Sequence, residues 1–292
     1  MAAVAVAGVA SAQVTMTGKL GFGVRDSSNS AKEVVKTDGG FTISGSEDLG
    51  GGMSASASLT YTGGDHSAGV NTDGSSLSLS GGFGTIQWAT ASSDNDRLGV
   101  GSGLLLSGNT AFAATTDGGG ASSVAMINYT LPTLVDGLTA TVRINNGTTA
   151  NTIALTNEDA QLRLAFSAGA FRITYNTAGG AAPATDMGVT YDAGIAKFAY
   201  AADVTRYAAT AATPGKRTEF SVSIPMGAMT LAASMGSQSA SSDATKKKAS
   251  ANEFNVSYAL SKRTTINAAY ASVTNTAGTA KKANTVKVVH TF

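Results

Sequence analysis

Chemistry needs reactive side chains within reach of one another, and this chain of 292 residues offers few. It has no Cys, which excludes thiolate metal sites, Cys nucleophiles and a disulfide framework. Its only imidazoles, His66 and His290, are far apart in sequence and have no partner beside them, so neither a zinc site nor a nucleophile–base–acid set is expected. Asp94-Asn95-Asp96 places two carboxylates where Ca²⁺, which takes oxygen ligands, could use them. Apart from that Ca²⁺ candidate at Asp94 and Asp96, no metal or cofactor is expected. What remains is charge itself. Lys and Arg number 20 against 19 Asp and Glu, for a net charge of +1. So near-neutral a balance gives no electrostatic footprint for nucleic acid, which would need basic residues massed on one face, and no such partner is expected.

The elements that must position these charges can be read from the pattern around them. Only 13% of residues are charged, against about 25% in ordinary soluble domains, while 42% are hydrophobic and 35 are Gly. Charge-driven disorder is therefore not expected. Residues 1–12, MAAVAVAGVASA, form a short apolar stretch ending in the small-x-small pattern Ala10-Ser11-Ala12. That reads as the remnant of a secretory signal, with a mature chain from Gln13; the missing basic region implies a start inside a longer precursor. A buried N-terminal strand is the alternative. Beyond residue 12 no apolar run approaches the ~18–20 residues of a membrane helix, so any membrane span must be made of strands.

From Gln13 onward the chain alternates with period two. In the opening strand Val14, Met16, Leu20, Phe22 and Val24 share one parity, and Thr15, Thr17, Lys19 and Arg25 the other. The same split recurs in MSASASLTY, LTATVRIN, FRITYN, IAKFAYAAD, EFNVSYAL and TVKVVHTF. The expected strands are 13–25, 40–47, 52–62, 74–81, 83–90, 122–131, 137–146, 158–167, 170–177, 185–192, 195–206, 217–225, 228–237, 250–260, 263–273 and 283–292. Every second connection is a tight Gly-, Pro- or Asp-rich turn, such as EDLGGG, GGFG, DAGI and PMG. The others are long and polar: 26–39, 63–73, 91–121, 147–157, 178–184, 207–216, 238–249 and 274–282. Tight turns on one edge and long loops on the other are the signature of a membrane barrel.

Alternation alone does not say which face meets water. In a soluble sandwich the apolar parity points inward; in a membrane barrel it points at lipid and the polar parity lines the lumen. Three features favour the second sense. The apolar parity is rich in lone Ala, too small for an interdigitated core. Aromatics gather at strand ends, with Tyr61, Tyr175 and Tyr270 near long loops and Phe83, Tyr129, Phe166, Phe171, Tyr191 and Tyr258 near tight turns, as two interfacial girdles would require. Sixteen strands of about 9–11 residues also fit the length of the chain.

Gly45-Ser46-Glu47-Asp48-Leu49-Gly50 resembles the GSEDLG segment of Gram-negative general porins. TMTGKLGFGV, GTIQW, NYTLP and the terminal Phe292 resemble the same family in the same order, and the small Gly-rich chain is most similar to alphaproteobacterial porins of the Rhodobacter type. The resemblance covers residues 13–292. It implies an all-β, 16-stranded antiparallel transmembrane β-barrel in the Gram-negative outer membrane, assembled as a homotrimer, with the long third loop folded into the pore. The function so implied is passive diffusion of ions and small hydrophilic solutes through a water-filled channel. The third loop, 91–121, exceeds the usual ~12–15 residues, and Leu104, Leu105 and Leu106 suggest that it packs against something; a surface loop covering a neighbouring subunit is the alternative.

Selectivity at a constriction comes from width and lining charge. Lumen parity at about mid-height holds Lys19, Lys287 and Arg163, with Lys19 and Lys287 on one wall once the barrel closes. The third loop supplies Asp94, Asp96 and Asp117. The resemblance implies a basic wall opposite an acidic loop, although this loop is poor in acids and the walls lack a dense Arg cluster. Arg143, Arg172, Lys197, Asp192, Asp203 and Glu219 are lumen-facing by parity and expected nearer the pore mouths. Lys246-Lys247-Lys248 and Lys281-Lys282 are expected in long loops, where clustered ammonium groups could meet lipopolysaccharide phosphates. Gly18, Ala55 and Ala57 on the lipid face are small enough for close subunit approach. The competing readings are a substrate-selective porin of the same architecture, a secreted β-rich surface or adhesin protein, for which no short fixed repeat is found, and an outer-membrane hydrolase, for which no nucleophile–base–acid set is found.

Overall fold

The computed structural model describes residues 13–28, 30–63, 70–91, 124–146, 158–178, 184–205, 215–238, 249–274 and 280–292. Every regular element in them is a strand. In chain order these are β1 (Gln13–Ser27), β2 (Ser30–Gly50), β3 (Met53–Gly63), β4 (Val70–Gly81), β5 (Gly84–Ala91), β6 (Val124–Thr130), β7 (Leu138–Asn146), β8 (Glu158–Ala168), β9 (Phe171–Ala178), β10 (Ala184–Asp192), β11 (Lys197–Thr205), β12 (Gly215–Met226), β13 (Met229–Gln238), β14 (Ala249–Ala259), β15 (Thr264–Thr274) and β16 (Ala280–Thr291). Each pairs antiparallel with its sequence neighbours, and β1 also pairs with β16, so the sheet closes into a barrel with no free edge. Closure satisfies every ladder and removes the unpaired edge that an open sheet would expose.

The tight turns form one end of the barrel. Left-handed glycines make them possible: Gly50, Gly51 and Gly52 turn β2 into β3 with φ of 76°, 63° and 77°, and Asp48 Oδ1 accepts from the Gly50 N–H at 2.9 Å. At the same end the chain terminus seals the seam. Gly18 and Phe292 exchange two backbone hydrogen bonds of 2.9 Å each, and the Phe292 ring lies over the bare Cα of Gly18. Next to it, Phe41 and Tyr61 stack at 5.0 Å on the same outer face. Phe171 and Tyr191 pack at 4.5 Å further round, and Tyr129 donates its hydroxyl to the Phe83 carbonyl at 2.7 Å. Phe171, Tyr191 and Tyr129 are aromatic bodies facing lipid near the tight turns, and Tyr61 lies near the long-loop end of β3, as interfacial girdles require.

The two faces are inverted relative to a soluble protein. Val14 is 69% exposed, Phe22 53% and Leu59 44%, whereas Ser221 is 1% exposed, Arg143 7% and Glu253 8%. Apolar side chains thus cover the outside and polar ones line the inside, the arrangement that lipid outside and water inside demand.

Two expectations need correction. Residues 26–39 are not a long loop: β2 begins at Ser30 and pairs with β1 up to Ser27↔Ser30. A register shift between Gly21 and Phe22, where Asp38 and Lys36 are the successive partners, leaves Thr37 as an extra residue. A bulge of this kind reverses parity along the bulged strand, which hid the strand from an alternation reading. Lys281 and Lys282 likewise lie in β16, not in a loop, because β15 runs on to Thr274 and pairs with them as Val273↔Lys281 and Ser272↔Lys282. Their side chains point to opposite faces, so they form no cluster. Lys246, Lys247 and Lys248 lie outside the described residues, as does the N-terminal segment 1–12.

Candidate functional site: the barrel lumen

A side chain reaches the lumen only from alternate positions, so the ladder registers fix the lining charges strand by strand. Lys19, Lys287, Arg163, Arg143, Arg172, Lys197, Asp192 and Glu219 all fall on the inward parity. Lys19 and Lys287 share the β1–β16 wall, yet they are not cross-strand partners: Lys19 pairs with Thr291 and Lys287 with Gly23. The offset of four residues separates them by about 13 Å along the strands at ~3.3 Å per residue.

Half-way round the barrel, Arg143 on β7 and Arg163 on β8 are diagonal neighbours, because Arg143 pairs with Gln161 and Thr141 with Arg163. Arg143 is held by a lateral hydrogen-bonded chain that crosses four strands. Its Nε donates to Asn128 Oδ1 at 2.8 Å, Asn128 Nδ2 donates to Gln87 Oε1 at 2.8 Å, and Gln87 Nε2 donates to Ser78 Oγ at 3.3 Å. Ser78, Gln87, Asn128 and Arg143 are successive register partners, so the row of amides follows directly from the pleat.

Acidic positions occupy the neighbouring arc. Asp186 on β10, Glu219 on β12 and Glu253 on β14 all take the inward parity, and the two glutamates are buried; for Asp203 only the backbone register with Asp186 and Arg217 is described. Around them the wall is made of small residues, Ala199, Ala201, Ala232, Gly236 and Ala271. Glu253 was not among the expected site residues, although the alternation of EFNVSYAL, with Phe254, Val256 and Tyr258 outward, puts it inside. Arg25, near the end of β1, and Arg263, in the turn between β14 and β15, also go unmarked by a reading of mid-strand charges.

At the tight-turn end Lys197 Nζ and Asp192 Oδ2 form an ion pair at 3.0 Å, and Asp192 Oδ1 also accepts from the Gly194 N–H at 2.9 Å. Arg172 lies at the same end, as the partner of Ser167 and Thr190. His290 faces outward, and its Nδ1 is 2.9 Å from Thr264 Oγ1. Asp94, Asp96, Asp117 and His66 lie outside the described residues. Among the described residues no three His, Asp or Glu side chains are grouped to hold a metal ion.

Comparison with known proteins agrees with this geometry. The family of Gram-negative porins matches residues 1–278. No curated protein matches the sequence. Among solved structures, the chain is similar to an anion-selective porin from Comamonas acidovorans, with TM-score 0.77 and 17% identity over 97% of this chain and 100% of that one. It is also similar to a loop-deletion mutant of OmpT, an outer membrane protein of Vibrio cholerae, with TM-score 0.73 and 10% identity over 96% of this chain and 99% of that one. A multiply substituted porin of Rh. blastica gives TM-score 0.71 and 14% identity over 96% of this chain and 100% of that one. A closed barrel of sixteen strands with an apolar outside and a polar, charged inside, matched along nearly its whole length, belongs to the Gram-negative porin family and is an outer-membrane diffusion channel.

Proposed function

We propose that the barrel is a general diffusion pore, open to ions and small hydrophilic solutes without a saturable site that governs flux, and that it performs no catalysis and requires no bound cofactor. The inversion of faces carries this reading. Sixteen strands are enough to enclose water without the lumen side chains filling the interior, and the lumen face is built of hydroxyls, amides and charges. Passage then needs no moving part and no energy input.

Three finer features belong to the same proposal. The connection between β5 and β6 narrows the lumen and contributes Asp94, Asp96 and Asp117 to the constriction; in support, Ala91 and Val124 are direct register partners, so joining the two strands needs almost none of residues 92–123. The unit is a homotrimer, with Ala55 and Ala57 on the small-residue outer face that subunits would share, whereas Gly18 is covered by the chain's own Phe292 ring. Lysines of the long connections meet lipopolysaccharide at the outer surface.

The test is reconstitution of the purified protein in a planar bilayer and recording of single-channel currents under a salt gradient. Discrete steps grouped in threes, with conductance rising linearly with salt, support the pore and the trimer. A bilayer that stays silent over many insertions would overturn both. Conductance that saturates with one solute at millimolar concentration would move the assignment to a substrate-selective channel.

A further inference from the structure

Arg143 is tied into the row of amides, but two other lumen cations are not held in this way. Arg163 on β8 and Arg172 on β9 make no ion pair and no side-chain hydrogen bond among the described residues. The carboxylates of the next strand, β10, are engaged elsewhere: Asp192 pairs with Lys197 at 3.0 Å, and Asp186 has an interaction of its own. Both arginines face the channel, because the adjacent Leu162, Ile173 and Tyr175 are 36%, 49% and 37% exposed on the outer face. Arg172 is exposed and Arg163 half-buried, and each guanidinium feels the charge of the other.

Between the two arginines the wall holds polar atoms without partners. Asn176 stands directly across from Arg163, and Thr174 is two residues nearer Arg172 on the same strand. Thr174 is 6% exposed and Asn176 4%, yet Thr174 Oγ1 and both amide atoms of Asn176, Oδ1 and Nδ2, have no hydrogen-bond partner. Buried polar atoms in native proteins are nearly always paired, so three orphans side by side call for a partner that the described wall does not supply. The neighbours leave space for one. Thr174 has Ala165 opposite it on β8 and Gly188 on β10, so no side chain longer than a methyl group flanks it on either strand.

Two guanidinium groups offer charge and paired N–H donors, the Thr174 hydroxyl and Asn176 Nδ2 add neutral donors, and Asn176 Oδ1 is an acceptor. Donors on several sides suit a tetrahedral oxyanion, and the amide acceptor suits one that still carries a proton. We propose that the β8–β9 wall binds hydrogen phosphate. Arg163 and Arg172 take its charged oxygens, Thr174 and Asn176 Nδ2 donate to it, and Asn176 Oδ1 accepts from its P–O–H group. The arginines stand at the lumen surface and meet the ion first; the buried pair then receives it. The site rests on the reading of the barrel as an open diffusion channel, and it names one ion that is held at the wall in passing.

The test records the chloride current of the reconstituted protein at slightly alkaline pH while inorganic phosphate or sulfate is added at constant ionic strength. Both ions are then tetrahedral dianions, but only phosphate keeps a proton to donate. Phosphate is expected to lower the current partly and saturably, with a half-blocking concentration about fivefold below that of sulfate, the contribution of one hydrogen bond. Arg163→Gln is expected to raise both half-blocking concentrations about threefold, the size of a part-exposed charge contact. Asn176→Leu is expected to bring phosphate to the level of sulfate, and Lys262→Gln, in the turn between β14 and β15, to change neither. Phosphate without effect would leave the orphan atoms to water and overturn the site with the channel intact. Block no tighter than that of sulfate, block unmoved by Arg163→Gln, or an equal shift from Lys262→Gln would overturn it too. Absence of any channel steps would instead sink the diffusion-pore reading.

Discussion

Lys287 stands directly across the β1–β16 ladder from Gly23, and a Cβ at position 23 would lie 2.7 Å from the Lys287 Cβ. The seam that closes the barrel is therefore built with a bare backbone on one strand beneath a charged side chain on the other. Filling that space forces either the lysine or the ladder to move. Gly23→Val is expected to destabilise the folded barrel by about 1–3 kcal/mol, the usual cost of overpacking a closely packed site. Urea titration of the refolded protein in detergent, followed by the mobility difference between folded and unfolded forms on gels, reads this as a lower midpoint; an unchanged midpoint would show that the seam has room to spare.

Charge reversal at the same seam tests what the lysines do. Because Lys19 and Lys287 are offset by four residues in the register, about 13 Å along the strands, they act as separate charges and not as a pair. Lys19→Glu and Lys287→Glu are each expected to shift the reversal potential under a salt gradient toward cation preference, with the double variant close to the sum of the two. A potential that stays put for either variant would place that lysine off the permeation path.

Turn geometry gives a third expectation. Gly84 has φ of 99°, and a Cβ there would fall 2.9 Å from Pro132 N in the β6–β7 connection. Gly51 has φ of 63° but open space around it. Gly84→Ala combines backbone strain with a clash against main chain and is expected to cost about 2–4 kcal/mol. Gly51→Ala carries the left-handed penalty alone, about 1–2 kcal/mol. Comparison of the two unfolding midpoints decides the matter: equal losses would mean that the close approach at Gly84 relaxes freely.

The polar chain behind Arg143 is expected to be structural as much as electrostatic. Asn128→Leu takes away the acceptor of the Arg143 Nε–H and the donor to Gln87 together. Loss of a hydrogen bond to a charged group costs about 1.5–3 kcal/mol. Asn128→Asp keeps an acceptor for the guanidinium and is expected to retain more of the stability than Asn128→Leu. A reversed order in thermal unfolding would show that the row contributes packing alone.

Much of this architecture was legible because a strand in a membrane barrel carries a strong two-fold signal. Val14, Met16 and Phe22 against Thr15, Thr17 and Lys19 fix the face of β1 regardless of its neighbours. The signal failed where an extra residue entered the ladder, as at Thr37 in β2, and where polar residues extended a strand past the lipid zone, as at Lys281 and Lys282. Height in the lumen was not legible at all. Parity assigns Lys19 and Lys287 to one wall, but only the pairing with Thr291 and Gly23 reveals their offset. Arg143 and Arg163 likewise become neighbours only once β7 and β8 are registered, since nothing local to either strand sets the stagger.

The inversion of faces itself can be tested with two adjacent residues. On β3, Ser58 points into the lumen, where its Oγ is 2.8 Å from Ser76 Oγ, while Leu59 points outward and is 44% exposed. The two are one residue apart at almost the same height, so depth in the membrane is held constant and only the face differs. Arginine on the lipid face near the midplane costs about 2–4 kcal/mol, because a guanidinium there must leave water or drag it into hydrocarbon. Leu59→Arg is therefore expected to lose that much in unfolding free energy measured in lipid vesicles. Ser58→Arg gives up one weak hydroxyl contact, stays in water, and is expected to hold its stability to within about 1 kcal/mol while lowering single-channel conductance. A soluble protein with the apolar face inside would also lose more stability from Leu59→Arg than from Ser58→Arg, so conductance is the readout that separates the two cases. Equal losses from the two substitutions, or a Ser58→Arg channel that conducts as before, would contradict a water-filled lumen on the Ser58 side.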